Sequence, residues 1–128
     1  MKTTYDIENA LYGLLNVSDF KSLFAGKLYN GRRPATATVA EDVVINATTV
    51  DADQVQGGVA YVKCWAKDVG GFANPKLDGI IKKASELIES SSVDGYEFEI
   101  LSTSTIPDDQ NAGWSIGIVR IECFINNL

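Results

Sequence analysis

NPKLDGIIKKASELIES, residues 74–90, is the stretch whose reading decides the fold. Asn74 is a helix cap, and Pro75 at the first helical position has the right φ and no N–H to lose. Leu77, Ile80, Ile81, Ala84, Leu87 and Ile88 recur at helical spacing, while Lys82, Lys83, Glu86 and Glu89 fall outside that stripe. One amphipathic helix is therefore expected over about 75–90, fraying at Ser90-Ser91-Ser92.

On both sides of this helix the period changes from helical to alternating. Upstream, Gln54 to Ala66 places Val55, Val59, Tyr61 and Trp65 on one face and Val62, Cys64 and Ala66 on the other. A strand apolar on both faces is a central strand or lies at an oligomer contact. Gly57 and Gly58 within it predict a bulge or a close backbone approach. Asp42 to Val50 is rich in β-branched residues and forms a hairpin with that strand through a turn at Asp51 to Gln54. Asp68 to Phe72, with Gly70 and Gly71, is a turn.

Downstream, Tyr96, Phe98 and Ile100 alternate with Glu97 and Glu99, and this strand continues to about Ile106. Pro107 to Gly113 is a loop by composition. In the last strand, from Trp114 to Phe124 or beyond, the apolar phase moves from Trp114, Ile116 and Ile118 to Val119, Ile121, Cys123 and Ile125. Such a change predicts a bulge, a twist, or burial of both faces.

At the N-terminal end, Tyr5 to Leu15 reads as a helix, with Ile7, Leu11, Leu14 and Leu15 on one face and Thr3 or Thr4 as cap. A short helical stretch at Asp19 to Phe24 ends at Gly26, and Lys27 to Asn30 is a short strand. Gly31 to Ala40 loses periodicity and reads as a mobile loop. The order α, (α), β, β, β, α, β, β predicts one α+β domain over residues 1–128. Its mostly antiparallel sheet has four to five strands, and the long helix (about 75–90) and the N-terminal helix (about 5–15) pack on it.

Composition narrows the function. The 128 residues are 45% hydrophobic, enough for one core, yet no run approaches the roughly 20 apolar residues that span a bilayer. Met1 to Asp6 lacks the apolar run of a signal peptide, so a cytosolic chain is expected. A net charge of -6, with no basic cluster longer than Arg32-Arg33, opposes specific nucleic-acid binding. The chain contains no histidine, which removes the usual proton shuttle at neutral pH and the commonest zinc ligand. Cys64 and Cys123 read as small buried hydrophobes, although neighbouring strands would permit a disulfide between them.

Each candidate site weakens on inspection. Asp51-x-Asp53 opens like a calcium loop, but Val55 and Val62 stand where ligands belong. Asp108, Asp109 and Asn111 could gather round a cation, though acidic loops are usually only solvated. Gly57-Gly58 and Gly70-Gly71 lack the lysine and hydroxyl of a phosphate loop. Without histidine no serine triad forms, and no Ser-x-x-Lys motif replaces it. Glu97 and Glu99 point the same way from a strand, as a solvent face does. Asn16-Val17-Ser18 and Asn46-Ala47-Thr48 match the glycosylation sequon, which has no meaning without secretion. Trp65 and Trp114 read as core or interface aromatics. The expectation is a non-enzymatic protein with no catalytic, cofactor-binding or metal-binding residues.

Several segments resemble one family across nearly the whole chain. They are Ile7-Glu8-Asn9-Ala10-Leu11-Tyr12, Gly26-Lys27-Leu28-Tyr29-Asn30-Gly31, Val43-Val44-Ile45, Val62 to Asp68 leading into a helix that ends Ala84-Ser85-Glu86-Leu87-Ile88, and Gly117 to Glu122. Together they are similar to the tail-completion (tail-terminator, head–tail joining) proteins of long-tailed bacteriophages and prophages. These are scaffold patterns, not a catalytic signature. Glu41-Asp42 departs from the apolar or proline-containing entry that the family often has to its second strand. The resemblance implies a virion protein assembled in the bacterial host cytoplasm. It also implies a ring, usually of six subunits, that caps the tail tube or joins it to the head connector. Its partners would be itself and the tube and connector proteins, and an acidic channel would let DNA pass without binding it. Gly31–Ala40 and Asp108–Ala112 are the loops expected to touch a neighbouring ring. Two other readings stay open: a small bacterial ligand- or partner-binding module, and a histidine-free enzyme with converging carboxylates.

Overall fold

The computed structural model of the chain describes residues 3–34, 37–50 and 55–126. Its elements run α1 (Thr4–Leu15), α2 (Ser18–Lys21), β1 (Leu28–Asn30), β2 (Val43–Val50), β3 (Val55–Lys67), α3 (Lys76–Ser90), β4 (Tyr96–Pro107) and β5 (Trp114–Asn126). This is an α+β domain with one five-stranded sheet in the order β1-β2-β3-β5-β4.

Both long helices form as their apolar spacing dictates. In α1, Ile7, Leu11 and Leu15 are fully buried, and the Asp6 carboxylate accepts from the Thr3 backbone N–H at 2.8 Å and the Thr3 hydroxyl at 3.1 Å. In α3, Leu77, Ile80, Ile81, Ala84 and Ile88 face the sheet. Asn74 caps α3 by accepting the Lys76 N–H at 3.0 Å, and its amide donates to the Lys67 carbonyl at 3.1 Å, which ties the helix start to the end of β3. The expected helix over Asp19–Phe24 shrinks to the single turn α2, followed by the edge-on pair Phe20–Phe24 with centroids 5.3 Å apart.

Sheet pairing is antiparallel except at β1–β2, where Leu28 to Asn30 lie parallel to Val43 to Ile45. The sequence did not show this pairing. Parallel neighbours need a crossover, and residues 31–42 supply it, with no helix among the described ones.

Of the two expectations at Gly57-Gly58, a bulge or a close backbone approach, the bulge is not found against β5, and a Cβ at Gly57 would meet the Cys123 carbonyl oxygen at 3.7 Å, an ordinary contact. Pairing of β3 with β5 runs unbroken from Val55↔Asn126 to Lys67↔Trp114. The register shifts lie in the outer neighbours, between Ala47 and Thr49 of β2 and between Ile100 and Ser102 of β4. An extra residue is easier to insert where a strand has one neighbour, as β4 has along its length and β2 has beyond Ile45, than in the central pair, which is locked on both sides. The phase change in β5 is therefore burial of both faces. Val119, Ile121, Cys123 and Ile125 enter the helix-covered core, and Trp114, Ile116 and Ile118 lie half-buried on the other face. Where the core-side phase reaches Gly117, α3 comes in close. A Cβ there would sit 2.7 Å from Cys64 Sγ and 2.9 Å from Ile81 Cδ1, so the position admits only glycine without a shift.

Cys64 and Cys123 lie on adjacent strands but pair with Gly117 and Gly58, respectively. Six residues of register place them about 20 Å apart, far beyond disulfide reach. Both are buried free thiols, and burial pushes each up to about 12. The Asp51–Gln54 turn, with Asp51 and Asp53, and the side chain of Val55 lie outside the described residues.

Candidate functional site

Helices α1 and α3 share one core with Val43, Ile45, Val62, Ile121 and Ile125, so both lie on the same face of the sheet. The opposite face has no helix over it among the described residues. Tyr61, Lys63 and Trp65 of β3 and Ile116, Ile118 and Phe124 of β5 are half-buried there, beside the exposed Glu97, Glu99, Ser102 and Ser104 of β4. Lys63 lies over the Tyr61 ring at 5.5 Å.

One end of this open face gathers both loops singled out from the sequence. The β1–β2 crossover brings the Arg33 guanidinium to 4.2 Å from the Trp65 ring centroid, and its Nη1 lies 3.7 Å from Asp42 Oδ2. From the other side, Trp65 Nε1 donates to Asp108 Oδ2 at 3.1 Å, as does Asn111 Nδ2 at 2.8 Å, while the Gln110 N–H reaches Oδ1 at 3.0 Å. Burial works to raise the Asp108 carboxyl, but these hydrogen bonds outweigh it and hold the carboxyl below its ordinary value. Both oxygens thus serve as acceptors that fix the β4–β5 turn, while Asp109 of the same loop is exposed. Arg33, Trp65, Ile106, Asp108 and Ile116 line a cleft of about 280 Å³.

The same end carries the turn after β3. Gly70 and Gly71 take φ of 60° and 83°, the left-handed values a tight turn requires. Its flanking Val69 and Phe72 bridge to one another yet stand 59% and 77% exposed, an unusual position for two large apolar side chains. The Asp68 N–H donates to the Gly113 carbonyl at 2.8 Å, which ties this turn to the β4–β5 loop.

Sequence reasoning marked Glu41-Asp42 only as an atypical entry to a strand and gave the two carboxylates no role. Asp42 is buried; its Oδ1 accepts the Lys27 N–H at 2.8 Å, and its carbonyl accepts the Trp65 N–H at 3.0 Å. Glu41 accepts from the Ala25 N–H at 3.0 Å and from Lys76 Nζ at 2.6 Å. These two carboxylates latch β1, the crossover and the start of α3 together. Gly26 fits beneath them because any Cβ would collide with the Asp42 carboxylate and the Glu41 backbone.

The remaining sequence candidates stay apart. Glu97 and Glu99 are exposed on β4. Asn46 of the second sequon lies within β2 opposite Tyr61, and Asn16 of the first is exposed between α1 and α2. No group of three or more Cys, Asp or Glu side chains is placed to hold a metal ion among the described residues. None of the described helices is long and apolar enough to cross a membrane. Compared with known proteins, the chain matches no family model and no curated protein sequence.

Proposed function

We propose that this chain is a non-enzymatic structural subunit that assembles into a ring at the end of a phage tail tube or at the head–tail junction. The observation that supports this reading is the one-sided sheet. Its helices cover one face and leave the other face, and the outer edge of the twelve-residue β4, without a partner among the described residues. An uncovered edge invites pairing with another chain unless something blunts it, and Leu101 and Ile106 stand 44% exposed along this strand. Val69 and Phe72, at the loop end of the sheet, suit an axial contact with the tube or connector. The phage assignment itself rests on the segment resemblance.

The test is solution mass by light scattering over a concentration series. A ring of six gives a species near 83 kDa (six subunits of 13.8 kDa), whereas a monomer at all concentrations counts against the ring. The alternative, a small ligand- or partner-binding module, is favoured by the Trp65 cleft and expects a persistent monomer or dimer.

A further inference from the structure

We infer that copies of this chain join head to tail, the β4 side of one against the β1 side of the next, guided by opposite charge. This rests on the assembly reading above and specifies its contact. Residues 86–99, which close α3 and open β4, carry Glu86, Glu89, Asp94, Glu97 and Glu99 and no basic residue. All five are exposed. Residues 17–40, which lead through α2 and β1 into the crossover, carry Lys21, Lys27, Arg32 and Arg33 against the single acid Asp19. Arg33 is engaged by Trp65 and Asp42, but Lys21, Lys27 and Arg32 are exposed.

Strands β1 and β4 are the two edges of the sheet, so topology holds Glu97 and Glu99 of β4 on the side opposite Lys27 and Arg32, which flank β1; Lys21 lies on α2, which packs against α3. A two-fold contact through β4 would set five carboxylates against five carboxylates, which like-charge repulsion disfavours. A heterologous contact pairs unlike charges instead, and its repetition closes a ring or extends a filament. Backbone geometry agrees. Because β4 runs antiparallel to β1 in the sheet, a neighbour in the same orientation brings β1 antiparallel to β4. Beside β4, a groove of about 580 Å³ along α3 is lined by Ile81, Asp78, Lys82, Glu86 and Glu89; Lys82 pairs with Asp78 at 2.8 Å and Lys83 with Glu86 at 3.6 Å, so Glu89 is the acid it offers to a basic segment.

The experiment uses the full chain and two charge-reversed variants. One carries Lys21→Glu, Lys27→Glu and Arg32→Glu; the other carries Glu89→Lys, Glu97→Lys and Glu99→Lys. Circular dichroism melts first show that each folds as the parent does. Light scattering is then recorded for the parent, each variant alone and their equimolar mixture. Each variant alone should self-associate about a hundredfold more weakly, since both of its edges now carry one sign. The mixture should recover the parent's assembly, because acidic-edged and basic-edged chains alternate. Variants that associate as well as the parent, or a mixture that stays apart while the parent assembles, would overturn this contact and leave the assembly reading standing. A parent chain that remains monomeric throughout would overturn both.

Discussion

On the helix side of β5, Ile121, Cys123 and Ile125 are fully buried; on the other side of the same strand, Ile116, Ile118 and Phe124 are only partly buried. The residue types are alike and only the covering differs. The helix side is therefore expected to carry the larger share of the chain's stability, since burial of apolar surface is more complete there. The sharpest way to break this comparison is one substitution on each face. Ile121→Ala should cost about 2–5 kcal/mol, as large-to-small changes in a closed core do. Ile118→Ala, three residues away, should cost less than half as much. Urea unfolding of the isolated chain reads both, and equal costs would mean that the open face is a second core.

Glycines sharpen the same contrast through a change of sign. Gly117 meets Cys64 and α3 on the covered side, so Gly117→Ala should destabilise by about 1–3 kcal/mol through overpacking. Gly79 lies on the exposed side of α3, and a Cβ added there meets nothing within 4 Å. Gly79→Ala should stabilise by about 0.5–1 kcal/mol, because a helix interior favours alanine over glycine by that much. Thermal melts of the two variants should move in opposite directions.

What the sequence made legible is whatever depends on local period. The apolar stripe of α3, the alternation of β3 and the wet start of β4 each follow from residues within one element. What it hid depends on residues distant in the chain. Gly117 reads as an ordinary glycine until Cys64 and Ile81 are brought against it. Glu41-Asp42 reads as an unfavourable strand entry until Ala25, Lys27 and Lys76 supply its donors. The parallel β1–β2 pair was hidden because three residues have no period to read. Gly57-Gly58 misled for the opposite reason: composition marked the most permissive backbone, but the shift falls where a strand has only one neighbour. Asp108 and Asn111 were legible as a loop, and only the tertiary fold brings Trp65 into it.

A smaller effect probes the loop end of the open face. The folded Asp108 carboxyl is held below its ordinary value, so its contribution is fully present above the unfolded value of about 3.9. As pH falls through the lower folded value, that contribution is lost. Protonation withdraws the acceptor from Trp65 Nε1 and Asn111. In a Trp114→Phe background, Trp65 fluorescence should change in a single acid step below the normal carboxylate range. Asp108→Asn should remove that step at once. A step that survives Asp108→Asn would assign the titration to another carboxylate.

The least effect on folding should come from the free edge, and there the two faces separate most clearly. Leu101 is the extra residue at the β4 register shift, and Ile106 lies nearer the loop end; both are 44% exposed. Leu101→Ser and Ile106→Ser should each change monomer stability by no more than about 0.5 kcal/mol, since nothing closed is opened. If the edge is an assembly surface, the double variant should nonetheless lower the solution mass at concentrations where the parent associates. Stability and association would then respond to different residues of one sheet. A double variant that loses stability instead, with its mass unchanged, would place Leu101 and Ile106 in the monomer's own packing and move the contact away from β4.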